Sequence, residues 1–193
     1  SAHPGVSIAA VLADIKNEKV TEIISWLISL QTDEGFINSY WWRSSFYTTT
    51  LLLRALSMRN ESLSNEHTKK IIESMIKRQL PDGGYSIDTS TISDPFTTAL
   101  SLECFIHLSD IDWEKEKYLC AKNLLQSQNK DGSWNGDYIL QIPAPSILDP
   151  NNVVSWNNEH GGGNSFIKDK DGLFATVMAC YSLDCYKHSE MLK

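Results

Sequence analysis

The chain has 193 residues, 21% of them charged, and carries a net charge of −7. That length suits one domain with a sizeable apolar core. The acidic balance argues against a non-specific nucleic-acid binder, which would carry a basic stripe, and no run reaches the roughly 18 uninterrupted apolar residues of a membrane span.

The opening Ser1-Ala2-His3-Pro4-Gly5 lacks the basic start of a secretory signal, so a cytoplasmic location is expected. Cys104, Cys120, Cys180 and Cys185 fall in helical segments without any CxxC pairing and read as buried, reduced thiols. Residues 1–19 form an N-terminal segment, either an added tail or an extra helix over about Ile8 to Lys16. From residue 20 onward the hydrophobic spacing is helical and repetitive.

Val20, Ile23, Ile24, Leu27 and Ile28 predict a helix that ends at Gln31-Thr-Asp-Glu34-Gly35-Phe36. The cluster Trp41-Trp42-Arg43-Ser44-Ser45-Phe46-Tyr47-Thr48-Thr49 follows and opens a second helix carrying Leu52, Leu53 and Leu56. The scheme then recurs. Ile71, Ile72 and Met75 lead to Gln79-Leu-Pro-Asp82-Gly83-Gly84-Tyr85, and Asp94-Pro95-Phe96-Thr97-Thr98 opens the helix of Leu100, Cys104 and Phe105. In the third copy Leu119, Leu124 and Leu125 lead to Gln128-Asn-Lys-Asp131-Gly132-Ser133-Trp134, and Leu173-Phe174-Ala175-Thr176 opens the last helix.

The three Gln residues lie 48 and 49 positions apart. A period near 50 that pairs a Gly turn with an apolar helix marks a repeat architecture. Each repeat reads as a helical hairpin. Its more polar member (Glu66, Lys69, Lys70, Glu73 and Lys77, or Glu114, Lys115, Glu116, Lys117 and Lys122) faces solvent, and its Thr-led member lies inside, the Thr capping free amides. In the third repeat Gln128 and Thr176 are 48 residues apart, against 18 or 19 in the others. The insertion, about 138–170, carries Pro143, Pro145, Pro150, Trp156, His160 and Gly161 to Gly163, which forbid a continuous helix. Lid and linker are the two readings of it.

Gln128-x-x-Asp131-Gly132-x-Trp134 resembles the QW motif of squalene-hopene and oxidosqualene cyclases and of the wider prenyltransferase and squalene-oxidase repeat group. The second copy has Tyr85 for Trp, and the first is one residue short, with Phe36. Residues 42–49 with Gly83-Gly84-Tyr85 also resemble the helical β domain of class II terpene cyclases. The likeness covers roughly residues 20 to 186. It implies an all-α fold, an α-α toroid or partial barrel of about three helical hairpins around an apolar chamber.

It also implies isoprenoid chemistry. Class II cyclases protonate an alkene or epoxide with the central Asp of Asp-x-Asp-Asp at the head of an inner helix. Aligned on Thr98-Ala99, this chain keeps only the first, Asp94, with Phe96 and Thr97 in place of the others. Asp94 is the candidate acid, with a helix cap as its competing role, and the loop residue His160 is a candidate acid, base or ligand. Trp41, Trp42, Phe46, Tyr47, Phe96, Trp156 and Phe174 are candidates for lining a substrate site, where aromatic faces stabilise carbocations. Arg43 is the candidate for holding a diphosphate or carboxylate. The Asp, Cys and His zinc set of protein prenyltransferases and the Asp-Asp-x-x-Asp magnesium motif of class I synthases are absent, so neither a metal nor a cofactor is expected.

Three readings follow: a terpene-cyclase-like enzyme acting on an isoprenoid in an aromatic-lined cavity; an incomplete toroid needing a homodimer or partner domain to finish the ring, since such toroids have five to seven hairpins; or a non-catalytic binder of a hydrophobic ligand. Mass spectrometry of incubated isoprenoids separates the first from the third, and oligomeric state tests the second.

Overall fold

The computed structural model describes residues 3–88, 90–108, 113–157 and 163–191. Among them lie seven α-helices: α1 (Pro4–Ala13), α2 (Val20–Ser29), α3 (Phe46–Met58), α4 (Asn65–Arg78), α5 (Pro95–His107), α6 (Glu114–Ser127) and α7 (Leu173–Met191). Inner and outer helices alternate. α1, α3, α5 and α7 stand side by side in that order, with α2 against α1 and α6 against α5; α4, buried on one stripe only and set against the Gly35 turn, joins α2 and α6 in the outer layer. This is a segment of an α-α toroid.

The layers follow from composition. α5 packs against α3, α6 and α7 and is buried from Phe96 through Phe105, as a helix apolar nearly all round must be. α4 buries only the stripe Ile71, Ile72 and Met75, leaving Lys69, Glu73 and Lys77 in solvent. Lys117 of α6 does not join that solvent face: it is 7% exposed, its ammonium 3.1 Å from Glu114 and 3.7 Å from Glu190. The cysteines also divide, since Cys104 and Cys120 are buried whereas Cys180 is exposed and Cys185 half-buried on α7.

The repeated turns are stapled in three ways. First, each Gln closes its own turn, its amide donating to the carbonyl of Gly35 (2.6 Å), Gly83 (3.1 Å) or Gly132 (2.9 Å). Second, the residue six places after each Gln donates its backbone N–H to the inner-helix Thr: Ile37 to Thr49, Tyr85 to Thr98 and Trp134 to Thr176, at 2.9, 2.9 and 3.0 Å. These Thr hydroxyls therefore hold the turn, rather than capping the helix as the sequence suggests. Ile37, not Phe36, takes the position of Tyr85 and Trp134. Third, the Tyr85 hydroxyl and Trp134 indole donate back to the outer helix, to the carbonyls of Met75 (3.0 Å) and Leu124 (2.7 Å).

The turn glycines adopt φ of +89°, +86° and +88° at Gly35, Gly83 and Gly132, a region costly for residues with a Cβ. Their flanks differ. A Cβ would stand 2.5 Å from the Ile71 amide of α4 at Gly35, and 2.7 Å from the Leu119 carbonyl of α6 at Gly83. At Gly132 the nearest atom would be 3.9 Å away, in its own turn's Gln128. The first two turns thus lean on the next outer helix, whereas among the described residues no outer helix stands against the third.

The insertion before α7 contributes the sheet. β1 (Tyr138–Ile142) pairs antiparallel with β2 (Ser165–Lys168), and a short 3-10 turn (Pro150–Asn152) lies between them. Residues 41–43 add to the other edge of β1: Arg43 donates to the Ile139 carbonyl at 2.9 Å, and Gln141 to the Trp41 carbonyl at 2.8 Å. The insertion is thereby fixed to the chain that leads into α3.

Candidate active site

Inner helices of equal phase bring equivalent residues to one level. Tyr47 of α3, Phe96 of α5 and Phe174 of α7 sit at the heads of their helices, and the indole of Trp42 joins them. Trp42 stacks on Tyr47 (centroids 4.2 Å, 17°) and on Phe96 (5.2 Å, 17°), and meets Phe174 edge-on (5.4 Å, 81°). Phe96 is covered, while Phe174 remains 42% exposed.

The other candidates lie elsewhere. Trp41, the neighbour of Trp42 in extended chain, points to the opposite side and packs on Tyr40 at 4.7 Å. Phe46 is fully buried between Phe36 and Tyr85 inside the hairpin layer. Trp156 stacks on Phe166 of β2 (4.9 Å, 14°). Arg43 lies over the other part of that stack, 3.9 Å from the Phe166 ring centre. It donates to the Tyr138 carbonyl at 2.7 Å and to Asp88 at 3.0 Å. Its guanidinium thus ties the insertion to the loop before α5. His160 lies outside the described residues.

Asp94 stands where α5 begins. Its Oδ1 accepts from the Thr97 amide at 2.7 Å, capping the helix. Its Oδ2 is buried with no hydrogen-bond partner among the described residues. Burial pushes the carboxyl up to about 6, against the Thr97 hydrogen bond that favours the charged form; Asp137 adds to the rise and Arg43 opposes it. A buried carboxyl with one bound and one free oxygen is equipped to hold a proton and give it up.

Two helical turns further along the same faces is a second level, which the sequence reading missed. Arg54, Glu103 and Tyr181 lie seven residues beyond Tyr47, Phe96 and Phe174 respectively. Arg54 binds the Glu103 carboxylate through two nitrogens, at 2.6 and 2.8 Å, and lies 4.5 Å from the Tyr181 ring centre. His107 adds a 3.2 Å contact to Glu103. Burial alone would raise the Glu103 carboxyl, but His107 and Arg54 outweigh it and hold it below the usual glutamate range. Among the described residues no three His, Cys, Asp or Glu side chains gather as a metal site, and no helix is long and apolar enough to cross a membrane.

Residues 5–141 match the family model of the prenyltransferase alpha-alpha toroid domain. The chain belongs to this family. Solved toroids agree with its fold. The type II terpene cyclase MstE from Scytonema, without ligand, is 28% identical with a TM-score of 0.83, over 99% of this chain and 57% of MstE. A variant of MstE in complex with its substrate, geranylgeranyl dihydroxybenzoate, is 26% identical with a TM-score of 0.83, over 99% and 55%. The ent-copalyl diphosphate synthase from Streptomyces platensis, at 13% identity and a TM-score of 0.61 over 95% and 33%, shares the fold alone. No curated protein matches the sequence. The chain spans little more than half the length of MstE.

Proposed function

We propose that the chain performs acid-initiated cyclisation of an isoprenoid, with Asp94 as the proton donor and Trp42, Tyr47 and Phe174 as the wall that stabilises the cation. The observation that carries this reading is the buried, unpartnered Oδ2 of Asp94 beside Phe96, at the level where the aromatic rings converge. The proton on Oδ2 passes to one carbon of an alkene, whose π electrons form the new C–H bond. The neighbouring carbon becomes cationic, the next alkene attacks it, and loss of a proton to water ends the sequence. Each ring face facing the cation is worth about 0.5–2 kcal/mol in a dry site.

The likeness to MstE supports an isoprenoid substrate. Incubation with farnesyl diphosphate, geranylgeranyl diphosphate, squalene and geranylgeranyl dihydroxybenzoate in D2O, followed by mass spectrometry, tests the proposal. A cyclised product carrying one added deuterium is expected, and it disappears in Asp94→Asn. No product from any of the four, or undiminished product from the variant, overturns it.

A second reading concerns completeness. The open flank of Gly132, together with Leu173 (62% exposed) and Val177 (56%) on α7 and Leu125 (60%) on α6, favours a further set of helical hairpins closing the ring, from a second copy or a partner domain. Sedimentation of the chain alone, and with any longer version carrying added helices, tests this. A monomer active at full rate removes the need for closure.

A further inference from the structure

A half-open cavity of about 470 Å3 lies between the first hairpin and the insertion, within the range of about 300–1,000 Å3 typical of small-molecule sites. Its lining mixes rings with polar groups. Trp26 of α2, Tyr40 and Trp42 contribute three aromatic side chains, and the insertion contributes Asp149. Asp94, Tyr47, Phe96 and Phe174 do not line it, so Trp42 is its one ring in common with the aromatic level.

With His taken as neutral, the lining holds one cation and one anion, and they are unequally compensated. Arg43 is engaged three times, by the Asp88 carboxylate at 3.0 Å, the Tyr138 carbonyl at 2.7 Å and the Phe166 ring at 3.9 Å. Asp149 has no such counterpart. Its Oδ1 accepts from the Asn151 amide at 3.0 Å, and among the described residues no cation pairs with the carboxylate. His3 instead packs its ring on Tyr40, with centroids 4.2 Å apart.

An uncompensated carboxylate beside aromatic rings favours a positive guest. The rings attract it through their quadrupoles, Trp most strongly, and the carboxylate supplies the opposite charge. A neutral guest gains neither attraction, and an anion is repelled. The chain's net charge of −7 draws in the same sign. A metal ion would require several oxygen ligands close together, whereas here one carboxylate stands among rings. An alkylated ammonium, charged at its centre and apolar at its surface, matches both halves of the lining.

We infer that this cavity is a binding site for an alkylated ammonium compound, its charged group held among Trp26, Tyr40 and Trp42 with Asp149 as counter-ion. The site is separate from the acid at Asp94 and stands whether or not the chain cyclises isoprenoids.

Three probes of nearly one shape separate charge from fit: choline, its neutral isostere 3,3-dimethylbutanol and the anion 3,3-dimethylbutanoate. Each is titrated into the wild-type chain while the Trp26 indole N–H resonance, assigned with Trp26→Phe, is followed by NMR. Choline is expected to shift that resonance to saturation and to bind at least about tenfold tighter than either of the others. Asp149→Asn retains an oxygen to accept from Asn151, and is expected to weaken choline severalfold while leaving the neutral isostere unchanged. Trp26→Leu is expected to weaken choline by about tenfold. The inference is overturned by equal binding of the neutral isostere, by tighter binding of the anion, or by choline binding untouched by Asp149→Asn. Failure of choline to saturate below about 10 mM overturns it as well.

Discussion

Arg54 and Glu103 meet across α3 and α5 from equivalent repeat positions, one cation and one anion joined by two hydrogen bonds of 2.6 and 2.8 Å. The Glu103 side chain is wholly buried and that of Arg54 22% exposed, so the pair is locked into the interior of the inner layer. Removing only the cation leaves a buried carboxylate with His107 as its remaining hydrogen-bond partner. Arg54→Met is therefore expected to cost about 3 kcal/mol, measured by urea unfolding. Arg54→Met combined with Glu103→Met should recover most of that loss, because the double change removes both desolvation costs.

The two buried carboxylates of α5 respond to pH in opposite directions. Asp94 is raised from 3.8 to about 6, so the folded state favours its protonated form. Its stabilising contribution is complete below pH 4 and is lost as pH rises through about 6, by roughly 3 kcal/mol. Asp94→Asn should match the wild type near pH 4 and exceed it in stability at pH 7.5. Glu103 is lowered, so its contribution is present above the unfolded glutamate value and is lost as pH falls through the folded one. Glu103→Gln should accordingly be most harmful near neutrality and less so in acid. Unfolding midpoints between pH 3 and 8 check both signs.

Gly83 and Gly132 share a backbone conformation but not a neighbourhood, and alanine separates the two effects. Gly132→Ala meets only the positive-φ penalty, about 1–2 kcal/mol. Gly83→Ala adds a clash with the Leu119 carbonyl, 2.7 Å from the new methyl, and should cost about 3 kcal/mol or more. Equal losses in the two variants would mean that α6 does not press on the second turn as described.

Trp42 is the residue on which the aromatic level depends, since it touches Tyr47, Phe96 and Phe174 together. Trp42→Leu keeps an apolar filler but removes a π face. With one such face worth up to about 2 kcal/mol, cyclised product should form up to about 30-fold more slowly. Trp41→Leu, on the opposite side of the chain, should leave the rate unchanged. Product quantification over time distinguishes them.

The helical hairpins were legible because Gln, Gly and aromatic recur with the same offsets, and such local patterns survive without knowledge of long-range contacts. The alignment of Tyr47, Phe96 and Phe174 came from the same offsets. The β1–β2 pairing was not legible: Tyr138–Ile142 is five residues long and its partner lies beyond a run of prolines and glycines. Trp42 could be placed near α3 but not between Tyr47 and Phe96, because it belongs to no repeat position. The Arg54–Glu103 pair did leave a trace, the single Arg of α3 and the single acidic residue of α5 at the same offset. Comparing the repeats two turns further along would have revealed it.

The leaning turns give the array a direction. Gly35 is wedged against α4 and Gly83 against α6, whereas among the described residues nothing braces Gly132. Adjacent hairpins in such stacks derive much of their cohesion from one another, so fraying should start where bracing ends. Amide protons in α7 ought to exchange with solvent sooner than those of α5, and adding a cover over that margin should slow them.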